Sequence, residues 1–391
     1  MQNQLEPVRY KVTRKTLLFP LVGLVAFFAY IYFFNVDIQE IIAEAQRINL
    51  SFYVLAAIAS ILDTLFFALA WHSLLKFLRV AISRFKAFLF VWVGIFVDTL
   101  IPAESVSGEV AKIYLVNREQ SGEAGKATGS IVAQRLINMG INMSILLGGV
   151  ALLLIENRLY GIVFPLTLFL IAITLLFIAL ILLLCVKQNW TVRIIDVVIG
   201  LAERISRGRW RLTRLREEAV EAAKAFHQAM REYAHAPKTL IIASSFSTIS
   251  WIFMIVVFYL TFLSMGYAQI SWSAILVTSA IFAAVKSVPI GIPFEIGLPE
   301  ITLTTLFSLF GVPWNVGATA TILMRLLTLW LKFFIGFVSQ QWVGIKTVTT
   351  STKDGLARVT TLKPFPSQNT TQRARSPFQH NRDAKAFIRS P

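Results

Sequence analysis

Apolar side chains along this chain fall into long, almost uninterrupted runs that are separated by short polar connectors. Several of these runs reach about 20 residues, the length that a helix needs to cross the hydrocarbon core of a bilayer. The eight runs lie at residues 17–34, 50–75, 85–101, 127–155, 160–186, 239–265, 272–288 and 313–342. The pattern predicts an all-α integral membrane protein.

The polar connectors are rich in Lys and Arg, and this sets the predicted orientation, because basic connectors stay on the cytoplasmic side. Eight simple crossings would place the Arg-rich stretch 204–216 outside. If segments 85–101 and 272–288 instead enter the membrane and return on the same side, every basic connector lies inside. We therefore predict about six full crossings, two re-entrant hairpins and two cytoplasmic termini. The alternative is an ordinary crossing helix at 85–101 and an exception to the charge rule.

This topology divides the chain into a basic cytoplasmic N-terminus, membrane helices with a first repeat, a basic cytoplasmic amphipathic segment, a second repeat and a disordered basic cytoplasmic tail. The boundaries are 1–16, 17–186 (first repeat about 50–155), 187–238, 239–347 and 348–391. The first repeat begins outside and the second inside, so the repeats are inverted, as in many transporters. We expect the amphipathic helix in the middle segment to lie on the membrane surface or to bind a partner.

Two nonapeptides in opposite halves of the chain place Ile, Pro and two Glu at the same offsets. They read IPAESVSGE (101–109) and IPFEIGLPE (292–300). A hydrophobic helix with one Arg follows each of them: Arg135 comes 26 residues after Glu109, and Arg325 comes 25 residues after Glu300. This recurrence indicates two copies of one site.

Prolines and glycines interrupt the apolar pattern at both motifs. Such residues break helices, and a broken backbone at membrane depth is tolerated only beside protein or a water-filled cavity. We expect the two hairpins to meet at a polar central site. The predicted hairpin-breaking residues are Pro102, Gly108, Pro289, Gly291, Pro293, Gly297 and Pro299.

The Glu and Arg residues of the two motifs are the best candidates for substrate binding, because ionised side chains inside a bilayer must face one another or water. An Arg guanidinium can bind a phosphate with two hydrogen bonds, and a Glu can hold it in place. We predict that Arg135, Arg325, Glu109 and Glu300 bind a lipid phosphate. The alternative is that each pair only locks its hairpin onto the neighbouring helix.

Four further acids lie in or beside apolar segments. We predict that each of them carries a proton or stabilises a hairpin through hydrogen bonds. They are Glu104, Glu295, Asp63 and Asp98. Lys286 and Lys332 are the cations that could pair with Asp63 and Asp98.

Composition narrows the class of protein further. The mean hydropathy is +0.67 and the net charge is +16, with the basic residues beside membrane segments. Anionic lipid headgroups are therefore the expected partners, and nucleic acid is not. The sequence has no phosphate-binding loop, no His or Cys set at metal spacing and no nucleophile elbow, so we expect no cofactor, no metal and no enzymatic activity.

These motifs resemble the flippase-like family of lysylphosphatidylglycerol synthase transmembrane regions over roughly residues 17–347. The first family motif is matched by Pro102, Gly108, Glu109 and Arg135, and the second by Pro293, Gly297, Glu300 and Arg325. The chain departs from the family at Phe294 and Glu295, where adjacent glycines are common. The soluble aminoacyl-transfer domain of the bifunctional synthases has no counterpart, so the resemblance implies lipid translocation without lipid lysinylation.

The sequence therefore predicts a flippase of the cell membrane for a phospholipid or a lipid-linked saccharide. Two alternatives stay open. The first is a proton-coupled transporter of an ion or small solute that uses the same carboxylates. The second is a non-catalytic membrane scaffold for lipid-linked glycan or cell-envelope synthesis, with a glycosyltransferase as its partner.

Overall fold

The apolar runs of the sequence form helices that end at the Gly, Pro and charged connectors. The computed structural model of the chain describes residues 47–101, 106–156, 163–186, 213–286 and 297–344, together with positions 193 and 197. The regular structure of these residues is helical, without a strand, so the all-α prediction is confirmed. The helices are α1 (Leu50–Phe77), α2 (Arg84–Leu100), α3 (Ser107–Glu119), α4 (Ala124–Ile155), α5 (Val163–Val186), α6 (Thr213–Ala234), α7 (Pro237–Ser264), α8 (Trp272–Lys286), α9 (Leu298–Leu309) and α10 (Trp314–Gly344).

Four of these helices, α1, α4, α7 and α10, are long and apolar enough to cross a membrane. They contain 28, 32, 28 and 31 residues, and their mean hydropathy in the most apolar window ranges from 1.7 to 2.2. The chain is therefore an integral membrane protein. Helix α5 and the segment 17–34 would complete the six predicted crossings, but segment 17–34 lies outside the described residues, as do the terminal segments 1–16 and 348–391. The count of six stays a prediction.

Helix lengths repeat along the chain in the order long, short, short, long. Helices α1 to α4 contain 28, 17, 13 and 32 residues, and α7 to α10 contain 28, 15, 12 and 31. The first helices of the two sets run antiparallel, because the backbone N–H of Asn49 donates to the Ser264 carbonyl at 2.6 Å. Asp63 and Ser250, each the 14th residue of its helix, meet near the middle. Inverted repeats require such a pair, although their orientation in the membrane stays a prediction.

The two halves pack reciprocally. In the first half, Gly149 of α4 lies against Val277 of α8, and the Asn142 side-chain amide donates to the Ala280 carbonyl of α8 at 3.3 Å. In the second half, Gly336 of α10 lies against Trp92 of α2. The second helix of each half therefore packs on the last helix of the other half.

The chain turns back on itself between α2 and α3. The Ser83 side chain caps the start of α2, the helix ends at Leu100, and α3 begins at Ser107. Lys86 near the start of α2 pairs with Glu119 at the end of α3 at 2.5 Å. With a rise of about 1.5 Å per residue, α2 extends about 25 Å and α3 about 20 Å. The hairpin therefore returns to the level at which it began; its insertion into the membrane stays a prediction.

Helix α6 is the amphipathic helix between the two halves. Its apolar face includes Ala229, which lies against Gly129 of α4, and Tyr233, whose hydroxyl donates to the Leu74 carbonyl of α1 at 3.0 Å. Our expectation that this face lies on the membrane surface is wrong, because the side chains of α4 and α1 cover it.

Candidate functional site

The first Glu–Arg pair joins α3 to α4. Glu109 is the third residue of α3, and Arg135 is the twelfth residue of α4. Arg135 Nη1 lies 3.2 Å from Glu109 Oε2, and the two side chains are 32% and 26% exposed. Among the described residues, this is the one hydrogen bond that Arg135 makes, so most of its guanidinium donors have no acceptor in that part of the chain.

Asp98 fixes the start of α3 against the end of α2. Asp98 Oδ1 accepts hydrogen bonds from the Ser107 hydroxyl at 2.7 Å and from the Gly108 backbone N–H at 2.6 Å. A Cβ at Gly108 would lie 2.4 Å from both Asp98 Oδ2 and the Gly94 carbonyl oxygen, so only glycine fits here. This is the geometry of a hairpin-stabilising carboxylate, one of the two alternatives predicted for Asp98.

The second Glu–Arg pair joins α9 to α10 at the same helix positions. Glu300 is the third residue of α9, and Arg325 is the twelfth residue of α10. Arg325 Nε donates to Glu300 Oε1 at 2.5 Å, and both side chains are only 4% exposed. Glu300 Oε2 accepts the Gly297 backbone N–H at 2.6 Å, which caps α9. Gly297 has a φ of +105°, a conformation that favours glycine.

A further ion pair connects the two halves. Lys332 Nζ of α10 lies 2.6 Å from Asp63 Oδ2 of α1, and the Ser250 hydroxyl of α7 donates to Asp63 Oδ1 at 2.6 Å. The sequence did not decide whether Lys286 or Lys332 pairs with Asp63; in the structure the partner is Lys332. The Ser60 hydroxyl of α1 donates to the Leu327 carbonyl, at 3.2 Å, within a π-helical segment of α10. That segment, Leu326–Leu331, separates Arg325 from Lys332.

Lys112 of α3 is a candidate residue that the sequence reasoning missed. It is 7% exposed, and its ammonium lies over the rings of Phe67 and Trp71, at 5.6 and 5.2 Å from their centroids. Within the described part of the chain, no carboxylate oxygen lies within 4 Å of it. Its position one helical turn after Glu109 is the sequence signal that could have identified it.

Several predicted residues lie outside the described residues, so their positions stay predictions. Among those that are described, Pro299 is the second residue of α9, where the first turn of a helix tolerates proline. The predicted residues outside the described ranges are Pro102, Glu104, Pro289, Gly291, Pro293 and Glu295.

All four residues of the two Glu–Arg pairs fall within one protein-family match. The model of the lysylphosphatidylglycerol synthase TM region matches residues 19–336. This chain belongs to that family. The resemblance seen in the two Pro–Gly–Glu motifs is therefore confirmed, and the match covers the whole of the repeated helix order up to the middle of α10.

Three relatives are described only as UPF0104 membrane proteins. One from Pyrococcus horikoshii is 23% identical over 303 residues, which cover 76% of this chain and 89% of the relative. One from Methanocaldococcus jannaschii is 22% identical over 338 residues, covering 85% and 96%. One from Methanothermobacter thermautotrophicus is 22% identical over 331 residues, covering 83% and 94%. No solved structure matches the chain.

Proposed function

We propose that this protein moves a phospholipid or a lipid-linked saccharide between the two leaflets of the membrane. The observation that carries the proposal is the recurrence of one arrangement in both halves. In each half, a Glu in the third position of a short helix pairs with an Arg in the twelfth position of a long apolar helix. The phosphate would bind at the more exposed of the two pairs, through Arg135, while the lipid chains stay in the bilayer.

The exposure of the first pair supports a headgroup as the ligand. An Arg in the middle of a membrane helix costs at least about 2.5 to 3.5 kcal/mol on insertion scales, so it is expected to face water or a polar ligand. Arg135 makes one hydrogen bond within the described ranges and is about one-third exposed. Its planar fork of donors fits two oxygens of one phosphate group.

The outer faces of the long helices support a lipid rather than a soluble solute. Large apolar side chains are exposed on all four of them, which is the surface that lipid chains contact. Examples are Val54 of α1, Leu147 of α4, Ile241 of α7 and Phe334 of α10. A headgroup at Arg135 could therefore keep its chains in contact with the bilayer.

The packing of the two halves supports transport by alternating access. The antiparallel pair α1 and α7 and the reciprocal contacts of α2 and α8 are what two inverted units would make. Rocking one unit against the other would expose the site first to one leaflet and then to the other. We place the protein in the cell membrane with both termini cytoplasmic, where its basic segments bind anionic headgroups.

The test is a lipid translocation assay in proteoliposomes that contain fluorescent phospholipids or polyprenyl-phosphate sugars. Arg135→Ala should lower the rate of translocation at least about 100-fold, because it removes two charge-assisted hydrogen bonds to phosphate. The translocation rate of Arg135→Lys should lie between those of the wild type and Arg135→Ala, since an ammonium keeps the charge but lacks the planar arrangement of donors. Arg231→Ala, an exposed arginine on α6, is the matched control and should behave as the wild type.

Equal rates for the wild type and Arg135→Ala would refute the proposed site. If the wild type moves none of these lipids but changes the internal pH of the vesicles, the protein is the proton-coupled transporter. If it does neither and co-purifies with a glycosyltransferase, it is the scaffold.

A further inference from the structure

We infer that the two Glu–Arg pairs have different jobs: the Glu109–Arg135 pair is the phosphate-binding site, and the Glu300–Arg325 pair is a closed clasp that fixes α9 on α10. The inference rests on the proposed function, in which an anionic lipid headgroup is the ligand. It goes further because the sequence motifs give both pairs the same role.

The first pair is loosely made. Its single contact is 3.2 Å long, and both side chains are about one-quarter to one-third exposed. An arginine has five N–H donors in a fixed plane, and Arg135 uses one of them on Glu109. A phosphate can therefore bind Arg135 without displacing any other hydrogen bond. Glu109 then orients the guanidinium instead of competing for all of it.

In the second pair, both oxygens of the Glu300 carboxylate are held. Arg325 Nε lies 2.5 Å from Glu300 Oε1, and the other oxygen of Glu300 is held by the Gly297 backbone N–H. Both side chains are almost completely buried. Because both side chains are buried, a phosphate that bound Arg325 would have to enter a packed contact whose carboxylate also caps α9. This buried carboxylate is part of the helix end, so its contact with Arg325 joins α9 to α10.

The residues beside the two pairs also differ in charge. The sixth residue of α3 is Lys112, and the sixth residue of α9 is Leu303. Lys112 adds a second positive charge beside the first pair, whereas Leu303 is fully buried among apolar side chains. A nearby cation favours an anion, and its effect is larger in a medium of low dielectric constant. The first pair therefore has the surroundings of an anion site, and the second has those of a core contact.

Paired substitutions separate the two jobs. Arg325→Met alone leaves the Glu300 carboxylate buried without its partner and should lower the melting temperature by about 5 °C. Adding Glu300→Gln removes that charge, while the amide oxygen still accepts the Gly297 N–H, so Glu300→Gln/Arg325→Met should recover most of the loss. Glu109→Gln/Arg135→Met is the matched change at the first pair.

The readouts are thermal unfolding and the binding of phosphatidylglycerol with a fluorescent acyl chain to the detergent-solubilised protein. Glu300→Gln/Arg325→Met should bind the lipid as the wild type does, within about threefold, whereas Glu109→Gln/Arg135→Met should bind about 100-fold more weakly because two charged hydrogen bonds are lost. Competition by inorganic phosphate would show whether the headgroup phosphate is sufficient. Binding does not require transport, so it decides the inference even if the wild type moves no lipid.

Any of the following results would overturn the inference. The first is a folded Glu300→Gln/Arg325→Met protein that has lost lipid binding, since Arg325 would then be a ligand. The second is unchanged binding in Glu109→Gln/Arg135→Met, or a wild type that does not bind the lipid. The third is a Glu300→Gln/Arg325→Met protein that melts as low as Arg325→Met alone, because the pair would then not be a clasp.

Discussion

Replacing Lys332 with methionine removes the cation from the contact that joins α10 to α1. Lys332 lies 2.6 Å from Asp63, whose other oxygen accepts the Ser250 hydroxyl of α7. Methionine has a similar length and an apolar end, so the packing of the stem is retained. The substitution therefore tests the charge of the contact and leaves most of its volume in place.

The expected loss follows from the burial of Asp63. Removing one partner of a buried ion pair leaves an uncompensated charge and costs about 3 to 5 kcal/mol. The two side chains are 13% and 14% exposed, so we expect the lower end, about 3 kcal/mol, because some water still reaches the carboxylate. The Ser250 hydrogen bond offsets part of the cost but does not neutralise the charge. In a protein of 391 residues, the loss corresponds to a fall in melting temperature of about 4 °C.

The assay is thermal unfolding of the detergent-solubilised protein, followed by tryptophan fluorescence. Asp63→Asn/Lys332→Met should melt near the wild type, because the asparagine is neutral and its amide oxygen still accepts the Ser250 hydroxyl. Lys224→Met, at an exposed position on α6, controls for the loss of one positive charge and should not change the melting temperature. A Lys332→Met protein as stable as the wild type, or a double variant no more stable than Lys332→Met, would refute the reasoning.

Two further predictions concern α3. Gly108→Ala should lower the melting temperature, with a cost in stability of about 1 to 3 kcal/mol, because its Cβ would lie 2.4 Å from Asp98 and from the Gly94 carbonyl oxygen. The control is Gly140→Ala, whose Cβ would have no atom within 4 Å. Equal melting temperatures for the two variants would contradict the prediction. Lys112→Met should leave the melting temperature within about 1 °C of the wild type, because burial of an ammonium without a carboxylate is itself unfavourable, but should weaken lipid binding several-fold. A large loss of stability in Lys112→Met would show that the cation over the two rings holds the fold together.

The sequence predicts the helices better than it predicts what covers them. The apolar runs predict the helices that lie on them, because helix length and helix ends depend on local composition. The short helices α3 and α9 lie outside the eight predicted runs. The apolar face of α6 was predicted equally well as a pattern. The sequence did not predict what this face packs on, since an apolar face packs equally well on lipid or on protein. In the structure Ala229 packs on Gly129 of α4, a small residue 100 positions away in the chain.

The spacing of the charged residues along the sequence predicts which of them pair, but it does not predict what each pair does. The Glu109–Arg135 and Glu300–Arg325 pairs both form, as the similar offsets of 26 and 25 residues suggested. Each Glu is the third residue of a short helix, and each Arg is the twelfth residue of the long helix that follows. The two pairs are nevertheless unequal in burial, since burial depends on neighbours that lie outside the shared offsets. The exchange of Lys112 for a leucine at the sixth position of the short helix is such a difference.

The same inequality extends to the contacts between the halves. The 14th residues of the first helices are Asp63 and Ser250, and the 19th residues of the last helices are Asn142 in α4 and Lys332 in α10. Asp63 and Lys332 form an ion pair between α1 and α10. The equivalent positions in α7 and α4 carry neutral side chains, the hydroxyl of Ser250 and the amide of Asn142. Removing one partner of a buried ion pair leaves an uncompensated charge, whereas removing a neutral hydroxyl or amide does not. Single substitutions at Asp63 or Lys332 are therefore expected to cost more stability than single substitutions at Ser250 or Asn142, so equivalent positions in the two halves are not equally sensitive.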